Sequence, residues 1–332
     1  MLMEFINEYG LFLAKLGTVV LLLGALAMLV FMLYMRSRGA GDEHLEVTHL
    51  NQKYEHMALV LKSAILPKKD FKKSLKEVKA KHKQEEKKEP DDSRKRIFVL
   101  NFNGDIRASD VASLREEITA LLTIAGKEDE VVVLLESGGG TVPGYGLAAS
   151  QLKRITEKGV RLTVSVDKIA ASGGYMMACV ADHIIAAPFA VIGSIGVLTQ
   201  IPNFNRLLKK HDIDIEQFTA GKYKRTVTML GENTEADREK LKEELADIHA
   251  LFKEFVTANR KQVDIEKIAT GEHWYGKQAL ELGLVDELRT SDDYLSAAAA
   301  LDTDIYEVSY LRKKSIIERL LHPMARFIQG DR

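Results

Sequence analysis

A single cysteine, Cys179, is present in a chain of 332 residues, which excludes an internal disulfide and any metal site built from several thiolates. Alone among small residues, it reads as a small buried hydrophobe, and its isolation is compatible with a cytosolic face. An excess of one charge is also missing. Lys and Arg number 47 against 48 Asp and Glu, a net charge of −1, so no nucleic-acid partner is expected. The nine histidines are scattered, and neither H-E-x-x-H nor Gly-x-Ser-x-Gly occurs. Neither a metal nor a cofactor is therefore expected. With 46% apolar and 29% charged residues, the chain is not disordered and can bury at least one full core.

The first feature present is an apolar run. Leu16 to Met35 carries no charge over about 20 residues, enough at about 1.5 Å per residue to span a hydrocarbon core. It reads as a transmembrane helix and uncleaved anchor, because Glu4 and Glu8 precede it and it exits through Tyr34-Met35-Arg36, unlike a signal peptide. Arg36 and Arg38 come after the span and only Lys15 precedes it, which favours a cytoplasmic face for the rest of the chain. From Glu43 to Ile65, Leu45, Leu50, Tyr54, Met57, Leu61 and Ala64 predict an amphipathic helix. Lys68 to Lys88 is mostly charged and reads as a solvated linker, helical or disordered. The chain thus divides into four regions: an anchor over 1–38, an amphipathic helix and Lys-rich linker over 39–94, a globular domain over 95–312, and a C-terminal amphipathic helix over 313–332.

Strands and helices alternate from Arg96 onward. Strands are predicted at Arg96 to Phe102, Glu130 to Leu135, Arg161 to Val166, His183 to Ala187, Val191 to Val197 and Asp214 to Thr219. Asp110 is expected to cap a helix through Ala125, and further helices are expected from Gly144 to Lys158, after Ser172, from Gly276 to Leu282 and from Ser291 to Leu301. A long helix from Thr234 to Arg260 shows capping-box spacing at Thr234 and Asp237, with Leu241, Leu245, Ile248, Leu251, Phe252 and Phe255 as its buried stripe. The tail from Lys314 to Ile328 has helical spacing, interrupted at Pro323. This order predicts an α/β domain with a mainly parallel sheet.

The chemistry centres on Asp167 to Val180, where a strand meets Ser172-Gly173-Gly174 and a helix. Glycines there let the backbone approach a bound carbonyl, and the first helical amides point outward, a place to stabilise an oxyanion. The plainer reading is a Ser N-cap before a Gly-Gly turn. Gly139 or Gly140, after the strand ending near Ser137, would oppose the amide of Gly173 as a second donor. A lysine whose pKa is lowered by about 2 to 3 units could take the Ser proton, and the basic loop Lys222, Lys224 and Arg225 offers one. Ser194, between Gly193 and Ile195, is a candidate to orient that amine; each residue also has a plain role, as a turn residue or a solvated charge. Gly144-Tyr-Gly146-Leu-Ala-Ala149 competes as a dinucleotide fingerprint, with Asp167 about 20 residues on.

Several segments together resemble the signal peptide peptidase A family of membrane-anchored serine proteases, which share the ClpP/crotonase fold. They are Glu136 to Gly140, Asp167 to Tyr175, Ile192 to Val197, Ala220 to Arg225 and Gly271 to Asp286. With the anchor, the Lys-rich linker and Pro202 to Arg206, the likeness covers nearly the whole chain and is greatest to one branch of that family. The resemblance implies a Ser-Lys dyad, with Ser172 as nucleophile and Lys224 as base in preference to Lys222. It also implies Ser194 bound to the amine, and Gly173 with Gly139 or Gly140 as the oxyanion hole. Gly138 stands where the family usually has proline, which loosens the turn. Peptide or protein substrates, a bacterial inner membrane and a ring-like or dome-like homo-oligomer, whose neighbouring subunits could complete the site, are further implications. The family's association with signal-peptide remnants suits an extracytoplasmic face, against the arginine signal. A crotonase-like acyl-CoA enzyme and an inactive membrane-protein-binding scaffold are the alternatives from other classes.

Overall fold

The computed structural model describes residues 2–38, 43–85, 94–301 and 303–312. Two compact units are distinct, one around the N-terminal helix and the other Leu45–Tyr310. The first contains α1 (Leu2–Arg38), in which the 23 residues Gly10–Met32 are long and apolar enough to cross a membrane. The predicted span, Leu16 to Met35, falls inside this helix. The predicted C-terminal helix over 313–332 lies outside the described residues.

The second unit opens with β1 (His44–His49), α2 (Leu50–Ile65) and α3 (Lys68–Glu85). Next come β2 (Arg96–Gly104), α4 (Val111–Leu121), β3 (Glu130–Ser137), α5 (Val142–Glu157), β4 (Arg161–Val166), β5 (Ile169–Ala171), α6 (Gly173–Ala178), β6 (His183–Ala186) and β7 (Val191–Gly193). The chain continues through α7 (Asn205–Lys210), α8 (Glu235–Asn259), α9 (Ile265–Ile268), β8 (His273–Tyr275), α10 (Gly276–Glu281), β9 (Glu287–Leu288), α11 (Ser291–Ala300) and β10 (Asp304–Leu311). The main sheet runs β1-β10-β2-β3-β4-β6-β9, and β5 leaves the end of β3 to pair with β7, which pairs with β8. The contacts from β10 through β9, and β5 with β7, are parallel; β7 and β8 are antiparallel. This is the mainly parallel α/β architecture expected from the alternation.

Both faces of the central strands are covered, which is why β2 and β3 read as continuous apolar runs. Phe98, Leu100, Phe102, Val131, Val133 and Leu135 pack in the larger core with α4 and α5, while Ile97, Val99 and Val132 pack on the other face with Leu50, Leu295 and Ile305. Arg260, at the end of α8 and only 3% exposed, ties that helix to the sheet through Asp286 at 2.8 and 2.9 Å and the Gly283 carbonyl at 2.9 Å.

Several expectations are corrected. Glu43 to His49 is not helical: β1 joins the sheet beside β10, a partner about 250 residues away that local periodicity cannot reveal. The described start of the predicted amphipathic helix therefore contributes to the core. Leu50 is buried, and Asn51 bonds across to Thr303 O and Ile305 N, both at 2.8 Å. Asp214 to Thr219 forms no strand, since no neighbour among the described residues supplies a ladder. The run from Val191 ends at Gly193, where positive φ values of 102° and, at Ser194, 50° turn the chain. Asp110 precedes α4 without a cap bond and accepts Asn103 N–H at 3.3 Å instead. The capping box of α8 forms as read, but of its apolar stripe Phe252 is buried and Leu251 is 64% exposed.

Glu117, on α4 and 4% exposed, accepts the Tyr310 N–H at 2.8 Å through Oε1, while Oε2 has no hydrogen-bond partner among the described residues. Burial pushes its carboxyl up from 4.5 to about 7, against the Tyr310 bond. The folded pKa exceeds the unfolded one, so the stabilisation held below about pH 4.5 is lost as pH rises through 7. Glu117→Gln should therefore gain on the order of 1–3 kcal/mol at pH 8 and little at pH 4.5, measured by urea unfolding at both.

Candidate active site

The site is built where β3, β5 and β7 end side by side. Ser137 is in register with Ala170, and Ala171 with Gly193. Neighbouring strands lie about 4.8 Å apart, so Ser172 and Ser194, each one residue past a paired position, emerge next to one another. The Ser172 N–H donates to Gly193 O at 2.7 Å, which fixes that spacing. Ser172 has φ 53° and ψ −118°, and Ser194 has φ 50°. Holding a non-glycine residue with left-handed φ costs about 1–2 kcal/mol, which marks a position constrained by its surroundings. Ser172 stands at the N-cap of α6, yet its hydroxyl makes no cap hydrogen bond. The plain capping reading therefore fails. Ser172 is half-buried, and Gly173 and Gly174 are buried behind it.

The glycines are required by close approach. A Cβ on Gly139, whose φ is 88°, would lie 2.7 Å from Gly173 N and 2.8 Å from both Ala171 O and Ser172 Cβ. Gly140 presses against the Ile106 carbonyl, Gly173 against the ring of Tyr145, and a Cβ on Gly174 would fall 2.5 Å from Ser137 O. Gly138 is different. Its nearest neighbour would be Ile169 Cδ1 at 3.8 Å, so the glycine found in place of the expected proline is not imposed by crowding. The Gly139 N–H donates to Ser137 Oγ at 3.1 Å, and Thr141 N–H to Ile106 O at 2.8 Å.

Ser172, Gly173, Gly139, Gly140 and Ser194 are thus gathered at the ends of three neighbouring strands. Lys224 is not among them. It sits in an exposed turn, its own N–H on Gly221 O at 3.1 Å, and no hydrogen bond joins its Nζ to Ser172 or Ser194 among the described residues. The loop borders a groove of about 870 Å³ lined by Ile201, Pro202, Ile215, Phe218, Lys224 and Leu230. Lys222 lies over the Tyr223 ring at 5.0 Å, with Lys240 of α8 on the same ring at 5.1 Å. A hydrogen bond with the Tyr223 side chain holds the exposed Lys222 above its ordinary pKa, the wrong direction for a neutral base. The Ser194 Oγ donates to Gly271 O at 3.3 Å, leaving its lone pairs for a further donor.

The dinucleotide alternative loses its loop: Gly144 and Gly146 lie inside α5, and the Asp167 carboxylate is taken by the N–H and hydroxyl of Ser291. Two residues the sequence reasoning missed are Ser137 and Tyr145, joined at 2.5 Å beneath the glycine turn. A tyrosine on the apolar face of a helix carries no signal that separates it from core, and its partner becomes visible only in the fold.

With this geometry in hand, two family models match nearly end to end: peptidase family S49 N-terminal over residues 4–152 and peptidase family S49 over 154–304. The chain belongs to peptidase family S49. Its relatives include "Probable protease SohB" of Haemophilus influenzae, 48% identical across 96% of this chain and 93% of that protein. "Probable protease SohB" of Buchnera aphidicola subsp. Schlechtendalia chinensis is 47% identical across 88% of this chain and 99% of that protein. The branch resembled in sequence is thus the SohB branch. Among solved structures, a lysine-to-alanine mutant of the 1510-N membrane-bound stomatin-specific protease, in complex with a substrate peptide, aligns with TM-score 0.44 and 12% identity, covering 70% of this chain and 98% of that one.

The crowding at Gly139 predicts that Gly139→Ala destabilises the fold by about 2 kcal/mol or more, from left-handed φ and backbone collision together. Gly146→Ala, a site with open space within 4 Å, should be neutral or better in the same denaturation series.

Proposed function

We propose that this family S49 chain is a membrane-anchored serine endopeptidase that hydrolyses unfolded or membrane-derived peptides in the bacterial inner membrane. The observation that carries the reading is Ser172: left-handed φ, a hydroxyl free of capping duty, and glycine amides crowded behind it. In the reaction, Ser172 Oγ attacks the peptide carbonyl while a neutral Lys224 Nζ accepts its proton. Gly173 and the Gly139-Gly140 turn donate N–H groups to the oxyanion. Collapse expels the peptide amine, which takes the proton from Lys224 Nζ; the neutral Lys224 amine then accepts a proton from water as it attacks the acyl-enzyme, and returns it to the Ser172 oxygen as the acyl group leaves. Ser194 accepts an N–H from Lys224 and so aims its lone pair. Anchoring is supported by the apolar helix segment Gly10–Met32.

The dyad is completed in a homo-oligomer, where Lys224 loses its solvent. Supporting this are Phe218 at 89%, Leu198 at 87% and Leu251 at 64% exposure, large apolar side chains around the basic loop and on α8 that a single chain leaves in water.

Ser172→Ala and Lys224→Ala should each lower peptide hydrolysis by roughly 10⁴-fold or more, with oligomer size by sedimentation unchanged. Mixing the two variants under exchange conditions should restore part of the activity, because intact Ser172 and intact Lys224 then meet across protomers. Unchanged hydrolysis in either single variant rejects the dyad.

A further inference from the structure

Beneath the glycine turn lies a connected line of hydrogen bonds. The Tyr145 hydroxyl donates to Asp105 O at 2.7 Å. The Ser137 Oγ lies 2.5 Å from Tyr145 Oη and 3.3 Å from the Gly104 carbonyl oxygen, and it accepts the Gly139 N–H at 3.1 Å. Two hydroxyl protons and one amide proton are thus shared among the Asp105 and Gly104 carbonyls and the two hydroxyl oxygens, an arrangement in which each bond polarises the next. Tyr145 and Ser137 are both buried, at 0% and 2% exposure, so a broken link would leave an unpaired polar group away from water. Burial pushes the Tyr145 phenol up from its ordinary value, which keeps the donor proton in place.

This line joins two loops behind the candidate nucleophile. Asp105 belongs to the segment after β2, whose Ile106 carbonyl also receives the Thr141 N–H at 2.8 Å. Of the consecutive amides at 139, 140 and 141, the first and third are therefore directed inward to protein acceptors. The Gly140 N–H has no such acceptor among the described residues. Gly173, opposite, is the first residue of α6, whose amide has no intrahelical acceptor, and it rests on the Tyr145 ring.

We infer that Tyr145 and Ser137 are positioning residues for the hydrolytic step: they bind the Gly139 N–H and lock the turn, so that Gly140 and Gly173 supply the two N–H groups that receive the oxyanion. This rests on the serine peptidase reading and deepens it, by naming the two side chains that hold the turn in place. The same tyrosine supports both donors, one through its hydroxyl and the other through its ring.

The test is Tyr145→Phe in the full-length protein, which deletes the hydroxyl and keeps the ring under Gly173. Removing one oxyanion donor costs about 10²–10³ in kcat, so loosening one should lower kcat by roughly 10- to 100-fold. KM should stay within about threefold, and the affinity for a peptide aldehyde, which forms the tetrahedral adduct, should fall by the same factor as kcat/KM. Ser137→Ala should show the same pattern, and it decides the matter if Tyr145→Phe does not fold. The inference is overturned if the folded variant keeps kcat and aldehyde affinity within about twofold of wild type, or if KM alone rises. A wild-type protein that neither cleaves peptides nor binds the aldehyde would instead sink the peptidase reading, a separate outcome.

Discussion

Everything at the candidate site depends on how closely three backbone segments approach at the ends of β3, β5 and β7. A hydrogen bond of 2.7 Å from Ser172 N–H to Gly193 O sets one distance, and the collision any Cβ on Gly139 would make with Ser172 and Gly173 sets the other. Parallel pairing supplies the rigidity: each strand end is held by the ladder behind it, β3 is packed on both faces, and Ala170 of β5 and Ile192 of β7 are buried in the larger core. The left-handed φ at Ser172 and Ser194 is sustained by this packing, because neither residue would choose it alone.

The two halves of the proposed chemistry are supported to different degrees within one chain. The nucleophile and the glycine amides stand on sheet ends and a buried helix, where geometry is held by many contacts at once. The proposed base stands on an exposed loop beside an apolar groove, anchored to α8 through Lys240 and Tyr223. An amine in water keeps its proton, so a base function demands that something exclude solvent from it. The same loop region and the α8 stripe expose the apolar side chains that would be covered in doing so.

The range of the forces involved sets how much of the fold is legible in the sequence. The strands β2 and β3 are legible because burial on both faces leaves apolar runs, and β4 because Leu162, Val164 and Val166 alternate with Thr163 and Ser165. The Thr234–Asp237 capping box is legible because its two bonds join residues three apart. β1 reads wrongly as the start of a helix because its partner β10 comes from the opposite end of the chain. Asp214 to Thr219 reads wrongly as a strand because an extended, alternating segment still needs a neighbour to bond, and none is present among the described residues.

At the site itself, residue chemistry is enough to single out Ser172, its glycines, Ser194 and the basic loop, since small residues and nucleophiles at a strand-to-helix turn are a local pattern, and the motif set is enough to suggest the family. The amino-acid order likewise determined the apolar helix, the α/β alternation and the absence of thiol or histidine metal motifs. Only tertiary structure decided that Ser172 and Ser194 emerge from the ends of neighbouring strands, that Gly139 bonds to Ser137 above Tyr145, and that Lys224 stands apart in solvent. These facts concern side chains and amides brought together, or kept apart, by sheet register and loop packing, and such distances are not encoded at any fixed spacing along the chain.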